Sequence, residues 1–328
     1  MGTAKASDCI HCHKCMNNCS FLGKYGIDIG DTEKLKELAF HCFLCGRCTE
    51  VCPIDIDGRA EVLRLRQERV SGAAGQSPSE KEQIEKKYKG LIGEKREYKF
   101  RNWKHATSGT VFFPGCNFPS MYPKTNAWLE KRFAKHGIGT VYECCGKPIS
   151  ELGLKEDEER IISGIRSRLN DNNITEIVTA CPNCRAFFGG RLGVKVVSVY
   201  TKLQELGLGE AIEGNANFYL PCPDRTERIW ISEIRPFIKG NIDIIDGIQC
   251  CGLGGSAAAE EPELAKSFVE NLKAKGADEL YTYCASCLGQ FHRSGLKDIK
   301  HILPEITGTR ENPDIMKSYV NRVLTRFK

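Results

Sequence analysis

Beyond residue 105 the chain alternates between short apolar runs and longer segments with apolar residues at helical spacing. Runs of four or five residues are typical of strands, and apolar residues three or four apart are typical of helices. The predicted strands are Thr110–Pro114, Thr140–Glu143, Glu176–Ala180, Asn217–Pro221, Ile242–Ile245 and Glu279–Tyr283. The predicted helices are Lys124–Lys135, Glu156–Asn170, Glu227–Lys239 and Pro262–Lys275. This alternation predicts an α/β fold.

The same succession occurs twice, and cysteines mark corresponding points in both halves. The two sets are Cys116, Cys144, Cys145, Cys181 and Cys184, and Cys222, Cys250, Cys251, Cys284 and Cys287. Corresponding cysteines are 106 residues apart at the first three positions and 103 apart at the last two. A fixed offset indicates an internal repeat. We therefore predict a duplicated α/β domain, with its halves at residues 106–207 and 208–305.

The flanking segments are predicted to differ from this repeat. Residues 1–70 form a small α+β or mostly helical domain, with short helices at Asp31–Phe40 and Gly58–Val70. Residues 71–105 are predicted to form a charged helical linker. It begins with the small residues of Ser71–Gly75, which favour an irregular segment, and Ser77–Ser79 can cap the helix that follows. The linker could be a docking surface for an acidic partner. We prefer the interpretation as a solvated connector whose aromatic residues pack on the next domain. Residues 306–328 are predicted to end the chain in a helix.

Composition narrows the class of protein. The 328 residues are 41% hydrophobic and 27% charged, and the net charge of +5 is too small and dispersed to predict nucleic-acid binding. We find no run of 18 apolar residues and no apolar leader, so we expect no membrane span and a cytoplasmic protein that reaches a membrane only through a partner. Eighteen cysteines in a reducing compartment predict metal or redox chemistry rather than disulfides.

Eight cysteines lie in two runs of C-x2-C-x2-C-x3-C near the N-terminus, and Pro53 follows the second run. They are Cys9, Cys12, Cys15 and Cys19, and Cys42, Cys45, Cys48 and Cys52. The runs resemble the two-cluster bacterial ferredoxins over roughly residues 5–65 and predict two cubane [4Fe-4S] clusters. In that pattern the fourth cysteine of each run ligates the other cluster. The expected ligand sets are Cys9, Cys12, Cys15 and Cys52 for cluster 1, and Cys42, Cys45, Cys48 and Cys19 for cluster 2. Two zinc sites are the disfavoured alternative.

The five-cysteine sets need another explanation, because adjacent cysteines chelate one small ion poorly. The motifs Pro114-Gly115-Cys116, Cys144-Cys145-Gly146 and Cys181-Pro182-Asn183-Cys184 resemble the Cys-Cys-Gly (CCG) domain of heterodisulfide reductases. The second half matches with Pro221-Cys222, Cys250-Cys251-Gly252 and Cys284-Ala285-Ser286-Cys287. The same domain occurs in the iron–sulfur subunits of anaerobic glycerol-3-phosphate dehydrogenase, glycolate oxidase and lactate-utilisation complexes. The resemblance implies a noncubane [4Fe-4S] cluster at each set, with a cubane or zinc in one half as the alternative.

Several other features invite a functional interpretation. Gly252-x-Gly254-x-x-Ala257 fits a dinucleotide fingerprint, but the preceding cysteine pair favours glycines that let the backbone approach a cluster. The histidines beside cluster cysteines are either tuning groups or ordinary surface residues. They are His11, His13 and His41. Phe112 and Phe113 are expected in the core, whereas Tyr283, next to Cys284, merits a test.

The resemblance implies an oxidoreductase subunit of an anaerobic complex. The first hypothesis is an electron-transfer subunit that works with a flavoprotein dehydrogenase or an electron-bifurcating flavoprotein and passes electrons to or from a quinone, ferredoxin or other carrier. The second is a catalytic subunit that reduces a disulfide between the two CCG clusters, so whether the chain is itself an enzyme is left open. A zinc-holding scaffold is a third class. No residue pattern names a catalytic group or a substrate.

Overall fold

The computed structural model describes residues 4–72, 79–276 and 279–328. The chain divides into two compact units, each assembled from separated segments. The first unit comprises Met1–Arg96, Pro148–Glu158 and Gly247–Ala274, and the second comprises Glu97–Lys147, Glu159–Asp246 and Lys275–Lys328. The predicted capping residues Ser77 and Pro78, and most of the loosened stretch Ser71–Gly75, lie outside the described residues. The domain borders at residues 70, 105, 207 and 305 stay predictions.

Helices are the main regular element of the chain. In chain order they are α1 (Lys14–Asn18), α2 (Ser20–Tyr25), α3 (Thr32–Glu37), α4 (Arg47–Glu50), α5 (Gly58–Ser71), α6 (Ser79–Lys87), α7 (Lys89–Lys95), α8 (Phe118–Met121), α9 (Pro123–Ala134), α10 (Lys147–Ser150), α11 (Lys155–Asp171), α12 (Pro182–Phe188), α13 (Val199–Glu205), α14 (Ile229–Ile234), α15 (Ala257–Glu260), α16 (Pro262–Lys275), α17 (Ala285–Arg293), α18 (Ile302–Ile306) and α19 (Ser318–Leu324). Within the part of the chain that the structure describes, we find no helix that combines the length and the apolar character needed to span a bilayer.

The strands are short and lie in the second unit. They are β1 (Asn102–His105), β2 (Gly109–Phe113), β3 (Gly139–Tyr142), β4 (Ile174–Thr179), β5 (Lys195–Ser198), β6 (Ala216–Phe218), β7 (Ile242–Ile244), β8 (Leu280–Thr282) and β9 (Lys300–His301). The α/β class and the predicted order of strands and helices are confirmed. The predicted linker contains α6 and α7 and ends in β1, and the predicted C-terminal helix corresponds to α19.

The two sheets have the same topology, which confirms the repeat. The first has the order β1-β3-β2-β4-β5 and the second the order β7-β6-β8-β9. The equivalent parts, β3-β2-β4-β5 and β7-β6-β8-β9, are parallel throughout. Strand β1 adds to the first sheet antiparallel to β3. In both halves the first cysteine follows the central strand, and the C-x-x-C follows the next strand along the sheet.

One hydrophobic core joins both sheets of the second unit. Phe112 and Val178 from the first sheet and Phe218 and Tyr281 from the second belong to the same buried cluster. Phe112 and Phe113 are fully buried, as predicted. The two halves of the repeat therefore stabilise each other, because removing apolar surface from water is the main driving force for packing.

The first unit has its own core, formed around the cysteine runs. Phe21, Leu22, Leu35, Val62 and Leu65 are among its buried residues. Helix α5, which supplies the last two, begins where the Asp57 carboxylate accepts hydrogen bonds from the backbone N–H groups of positions 59 and 60. Such a cap satisfies amides that the first helical turn leaves unpaired. The short helices between the cysteines are thus held by this apolar layer rather than by their length.

Two aromatic residues of the predicted linker are buried within the second unit. Tyr98 and Phe100 pack edge to face, with ring centroids 5.7 Å apart, beside Cys144. Their burial agrees with the predicted packing of the linker's aromatic residues, and the connector interpretation stays a prediction. The charged residues around them contribute ion pairs within the first unit, such as Arg96 with Asp157 at 2.7 Å.

Candidate iron–sulfur cluster sites

In the first unit the eight N-terminal cysteines line two separate cavities. Cavity A is lined by the cysteines Cys9, Cys12, Cys15 and Cys52. Cavity B is lined by the cysteines Cys19, Cys42, Cys45 and Cys48. The fourth cysteine of each run therefore contributes to the cavity of the other run, in the crossed arrangement of the two-cluster ferredoxin pattern.

Apolar side chains form most of the walls of both cavities. Ile29 borders both of them, Ile54 and Ile56 line cavity A, and Leu35 and Val62 line cavity B. Such walls limit the access of water, which is one determinant of the potential of a bound cluster.

The backbone of the two runs has the same conformation at equivalent positions. His11 and Leu44, each two residues after the first cysteine of its run, have φ of 48° and 51°. This left-handed conformation is uncommon for residues other than glycine. It lets the N–H of His11 donate to Cys9 Sγ at 3.4 Å and that of Leu44 to Cys42 Sγ at 3.4 Å. Amide donors aimed at sulfur stabilise thiolate ligands and tune cluster potentials.

Glycines allow the chain to approach the cysteine sulfurs closely. A Cβ at Gly58, the first residue of α5, would lie 2.5 Å from Cys48 Sγ. A Cβ at Gly30 would lie 2.6 Å from Cys9 Cβ. Both distances are far below van der Waals contact, so any larger residue would displace a cysteine.

Burial strongly affects the thiols of cavity B. Burial, with a further contribution from Cys45, raises the pKa of Cys19 to about 12, and burial raises the pKa of Cys42 to about 11. The pKa of Cys48 also lies well above its usual value, because of burial and of the neighbouring sulfurs, Cys15 of cavity A included. Without a metal these thiols hold their protons, and a bound cation would have to displace them. The two cavities are close, because Ile29 lines both of them.

Two buried carboxylates pair with the histidines that flank the runs. Asp28 lies 3.0 Å from His11 Nδ1 and 3.3 Å from His13 Nδ1. Glu261 accepts hydrogen bonds from Lys24, Tyr25 and His41 at 2.6, 2.6 and 2.7 Å. Burial opposes the ionisation of Glu261, but these donors outweigh burial and lower its pKa. All three histidines thus contact a buried carboxylate, and His11 and His13 are exposed, as expected of surface residues.

The segment Gly247–Ala274 belongs to the first unit although it comes from the repeat. Its Gln249 side chain donates through Nε2 to Cys19 Sγ at 3.4 Å and lies 3.7 Å from Cys45 Sγ. A Cβ at Gly254 would lie 2.0 Å from the carbonyl oxygen of Phe43, inside the second run. The glycines of the fingerprint-like motif therefore permit close contact with a cysteine run, which agrees with the interpretation preferred over nucleotide binding.

In the second unit, the five cysteines of the first CCG set gather around Cys145. Hydrogen bonds with the thiols of Cys144 and Cys184 lower the pKa of Cys145 to about 5, while Cys181 and Cys116 are near enough to act on its charge. A Cβ at Gly115, whose φ is +81°, would lie 3.2 Å from Cys184 Sγ. Five sulfurs, two from adjacent residues, suit a cluster with several irons better than one tetrahedral ion.

A buried glutamate stands directly before this cysteine pair. Glu143 accepts hydrogen bonds from Arg101 at 2.7 Å and Trp103 at 3.1 Å, and its carboxylate lies 2.9 Å from Arg168. Burial nevertheless raises the pKa of Glu143, against the pull of the two arginines. The carboxylate next to Cys144 is therefore held by two arginines in a buried site.

The second CCG set is distributed over both units. Cys222, Cys284 and Cys287 belong to the second unit, and Cys250 and Cys251 to the first. A hydrogen bond with the Cys287 thiol, against the effect of burial, lowers the pKa of Cys284 to about 7. In the first unit the N–H of Gly252 donates to Cys250 Sγ at 3.3 Å.

The two C-x-x-C loops meet within the second unit. Asn183, between Cys181 and Cys184, donates through Nδ2 to Cys284 Sγ at 3.5 Å. Asn117, next to Cys116, donates to Ser286 Oγ of the other loop at 2.7 Å. Cysteines of the two sets are therefore neighbours.

Tyr283 also has a specific partner. It is fully buried, its ring stacks on Trp230 with an interplanar angle of 3°, and its hydroxyl donates to Asp224 at 2.5 Å. Asp224 in turn accepts from the backbone N–H groups of Trp230 and Ile231. This network ties β8, which precedes Cys284, to the turn that carries Cys222.

Several residues of these sites were not singled out from the sequence. They are Asp28, Asn117, Glu143, Asn183, Gln249 and Glu261. The repeat offers a signal for two of them, because Glu143 and Gln249 are 106 residues apart and each precedes a Cys-Cys pair. No sequence motif distinguishes Asp28 and Glu261 from the other acidic residues.

Comparison with known proteins agrees with this chemistry. The cysteine-rich domain CCG matches residues 110–189 and 239–292. One subunit of the fumarate reductase (CoM/CoB) of Methanothermobacter marburgensis is 23% identical over 91% of this chain and 71% of its own length. The uncharacterised iron–sulfur protein MMP1067 of Methanococcus maripaludis is 23% identical over 86% of this chain and 66% of its own. The glutamate racemase RacE1 of Bacillus anthracis aligns with a TM-score of only 0.32, at 13% identity over 62% of this chain and 79% of its own.

Two segments of the chain thus match the cysteine-rich domain CCG. Its cysteine-rich domain and its relatives agree with the predicted resemblance to heterodisulfide reductase-like iron–sulfur proteins.

Proposed function

We propose that the chain is an iron–sulfur electron-transfer subunit of an oxidoreductase complex. Cluster 1 would be held in cavity A and cluster 2 in cavity B, both as cubanes, and each CCG set would hold a noncubane [4Fe-4S] cluster. The crossed composition of the two cavities carries the proposal, because four convergent sulfurs per cavity suit one cubane each. Iron–sulfur clusters supply reversible one-electron transfer, and the nearness of cavities A and B suits a relay.

A partner that exchanges electron pairs for single electrons is part of this proposal. A flavoprotein dehydrogenase or an electron-bifurcating flavoprotein would perform that exchange, and a quinone, ferredoxin or other carrier would complete the path. The relative from Methanothermobacter marburgensis is, by its name, one component of a fumarate reductase assembly. We therefore expect a flavoprotein to co-purify with the chain under anaerobic conditions.

Metal content tests the cluster assignment. Anaerobically purified protein should contain about sixteen iron atoms, four in each of four clusters. An iron content near eight, with one or two equivalents of zinc, would contradict the assignment of the CCG sets to iron–sulfur clusters.

Disulfide reduction is the second candidate function, and the contact between the two C-x-x-C loops favours it. A disulfide that receives one electron from each side and two protons yields two thiols, so the reaction needs two redox centres close together. Asn183 brings the first set to hydrogen-bonding distance of Cys284 in the second. Two clusters held this close together would allow one disulfide substrate to reach both of them.

Turnover by the isolated chain separates the two functions. With an artificial one-electron donor, a catalytic subunit should reduce a low-molecular-weight disulfide, and Cys145→Ser and Cys251→Ser should each abolish the activity. A relay would exchange electrons with its flavoprotein and leave the disulfide unchanged.

A further inference from the structure

Gln249 is the side chain of the segment Gly247–Ala274 that contacts the sulfurs of cavity B. Its amide is buried and donates to Cys19 Sγ at 3.4 Å, with Cys45 Sγ 3.7 Å away. The opposite end of the amide, Oε1, accepts a hydrogen bond from the backbone N–H of Ser20 at 2.8 Å. A backbone N–H can only donate, so this contact requires the oxygen to face Ser20 and the NH2 group to face the sulfurs.

The surrounding contacts hold this amide in place. Ser256 Oγ donates to the carbonyl oxygen of Phe40 at 2.9 Å, and Glu261 is bound by Lys24 and His41. Phe268 packs on Phe43 with ring centroids 5.1 Å apart. The segment is therefore anchored beside the start of the second cysteine run, and the amide of Gln249 is preorganised toward the sulfurs.

We infer that Gln249 tunes the potential of the cluster in cavity B and links that cluster to the Cys250-Cys251 pair; this inference rests on the proposed function. An N–H donor placed on a ligand sulfur stabilises the additional negative charge of the reduced cluster, which raises the reduction potential. Cavity A has the opposite kind of neighbour, because Cys9 Sγ lies 3.7 Å from the buried carboxylate of Asp28.

The position of Gln249 in the chain supplies the link. The next residue is Cys250, so one residue connects the sulfurs of Cys19 and Cys45 to a cysteine of the second CCG set through a hydrogen bond and a short stretch of backbone. The repeat-equivalent residue, Glu143, is instead bound by Arg101 and Arg168. The two halves of the repeat have therefore diverged at this position, and only the glutamine is a donor.

Redox titration of the anaerobically purified full chain, monitored by EPR, tests the inference. Gln249→Met removes the donor at nearly constant side-chain length, and Gln249→Glu keeps an acceptor for Ser20 but replaces the donor with a negative charge. We expect Gln249→Met to lower the equilibrium constant for reduction of one cubane about tenfold, which corresponds to about 59 mV for a one-electron couple. Gln249→Glu should lower it further. The other cubane should keep its potential.

Two controls separate tuning from a general disturbance. Ser267→Ala removes a hydrogen bond to the carbonyl oxygen of Leu264 in the same segment without touching a sulfur, and it should leave both cubane potentials unchanged. A Cys12→Ser background, which disrupts cavity A, should leave the Gln249-sensitive signal in place. An exchangeable proton coupled to the reduced cluster, detected by ENDOR after transfer to D2O, should be present in the wild type and lost in Gln249→Met.

The possible results are distinct. Iron-loaded variants whose two cubane potentials equal those of the wild type would overturn the inference, as would equal shifts in Gln249→Met and Ser267→Ala. A wild-type chain without cubane signals would overturn the proposed function itself. If Gln249→Met fails to load iron, the Gln249→Glu variant and the ENDOR signal of the wild type decide the question.

Discussion

The N-terminal quartets and the CCG sets bring sulfurs together by different means. The eight quartet cysteines occupy 44 consecutive residues and lie in one unit, whereas the first CCG set spans 69 residues and depends on three strand ends of a sheet. The second CCG set has cysteines in both units. A quartet is therefore a local arrangement supported by short helices, whereas the first CCG set depends on a folded sheet. Variants in the two regions should accordingly fail in different ways.

The largest expected effect is the selective loss of a cluster. Cys15→Ser or Cys45→Ser should each remove about four of roughly sixteen iron atoms and interrupt long-range electron delivery. The second unit has its own core, so the signals of the first CCG cluster should remain. Iron analysis and EPR of the anaerobic protein measure both quantities. Loss of the first CCG signal in these variants would show that the two regions do not fold independently, and Cys145→Ser is the reciprocal control.

The second effect concerns the stability of the quartet region. Arg66 is fully buried and donates to the carbonyl oxygens of Ala39, Cys42 and Glu151. Arg66→Met leaves these acceptors without a donor and should lower the free energy of unfolding by about 3 kcal/mol or more. Chemical denaturation under anaerobic conditions measures the change.

The neighbouring Arg64 is a matched control on the same helix. It is half exposed and pairs with Glu61 and Glu68 at the surface. Arg64→Met should change stability by no more than about 0.5 kcal/mol. Equal effects of the two substitutions would contradict the structural role assigned to Arg66.

The third effect is a pH dependence located in the second unit. His301 is buried between Phe118 and Tyr122, and burial lowers its pKa to about 3. Between this value and its usual value of about 6.5, the unfolded chain binds a proton that the folded chain does not. Stability should therefore be complete above pH 6.5 and decrease as the pH falls, by about 2 kcal/mol at pH 5.

An asparagine at this position separates titration from packing. In His301→Asn the side chain still accepts from the N–H of Leu303, as the imidazole does at 3.2 Å, but it does not titrate. Unfolding curves at pH 7 and pH 5 should differ less for the variant than for the wild type. The same difference in both proteins would place the pH dependence elsewhere.

The smallest effect concerns the contact between the C-x-x-C loops. Asn183→Leu removes the donor to Cys284 Sγ. The equilibrium constant for reduction of the second CCG cluster should therefore fall a few-fold, which lowers its reduction potential. The quartet signals should stay constant. Ser286→Ala is the control and should leave the potential unchanged, because it breaks the side-chain bond to Asn117 and keeps the backbone hydrogen bond of residue 286 to Cys284.

Much of the fold and of the candidate sites follows from residue spacing. The alternation of apolar runs predicted the strands and helices of the repeat, and the fixed offsets predicted two sheets of equal topology. The ferredoxin spacing predicted the crossed cysteine sets that line cavities A and B. These features are encoded locally, because side chains a few residues apart or at a regular period meet in the same element or at the same sheet edge.

Only the tertiary structure decided how distant segments combine. The assignment of Gly247–Ala274 to the first unit, the amide of Gln249 on Cys19, and the contact of Asn183 with Cys284 join residues roughly one hundred or more positions apart. Each depends on one polar side chain that resembles many others in the sequence. A single hydrogen bond of this kind follows no sequence period and no spacing rule, so it cannot be predicted from the sequence. It forms only after packing of the apolar cores has fixed the positions of both partners.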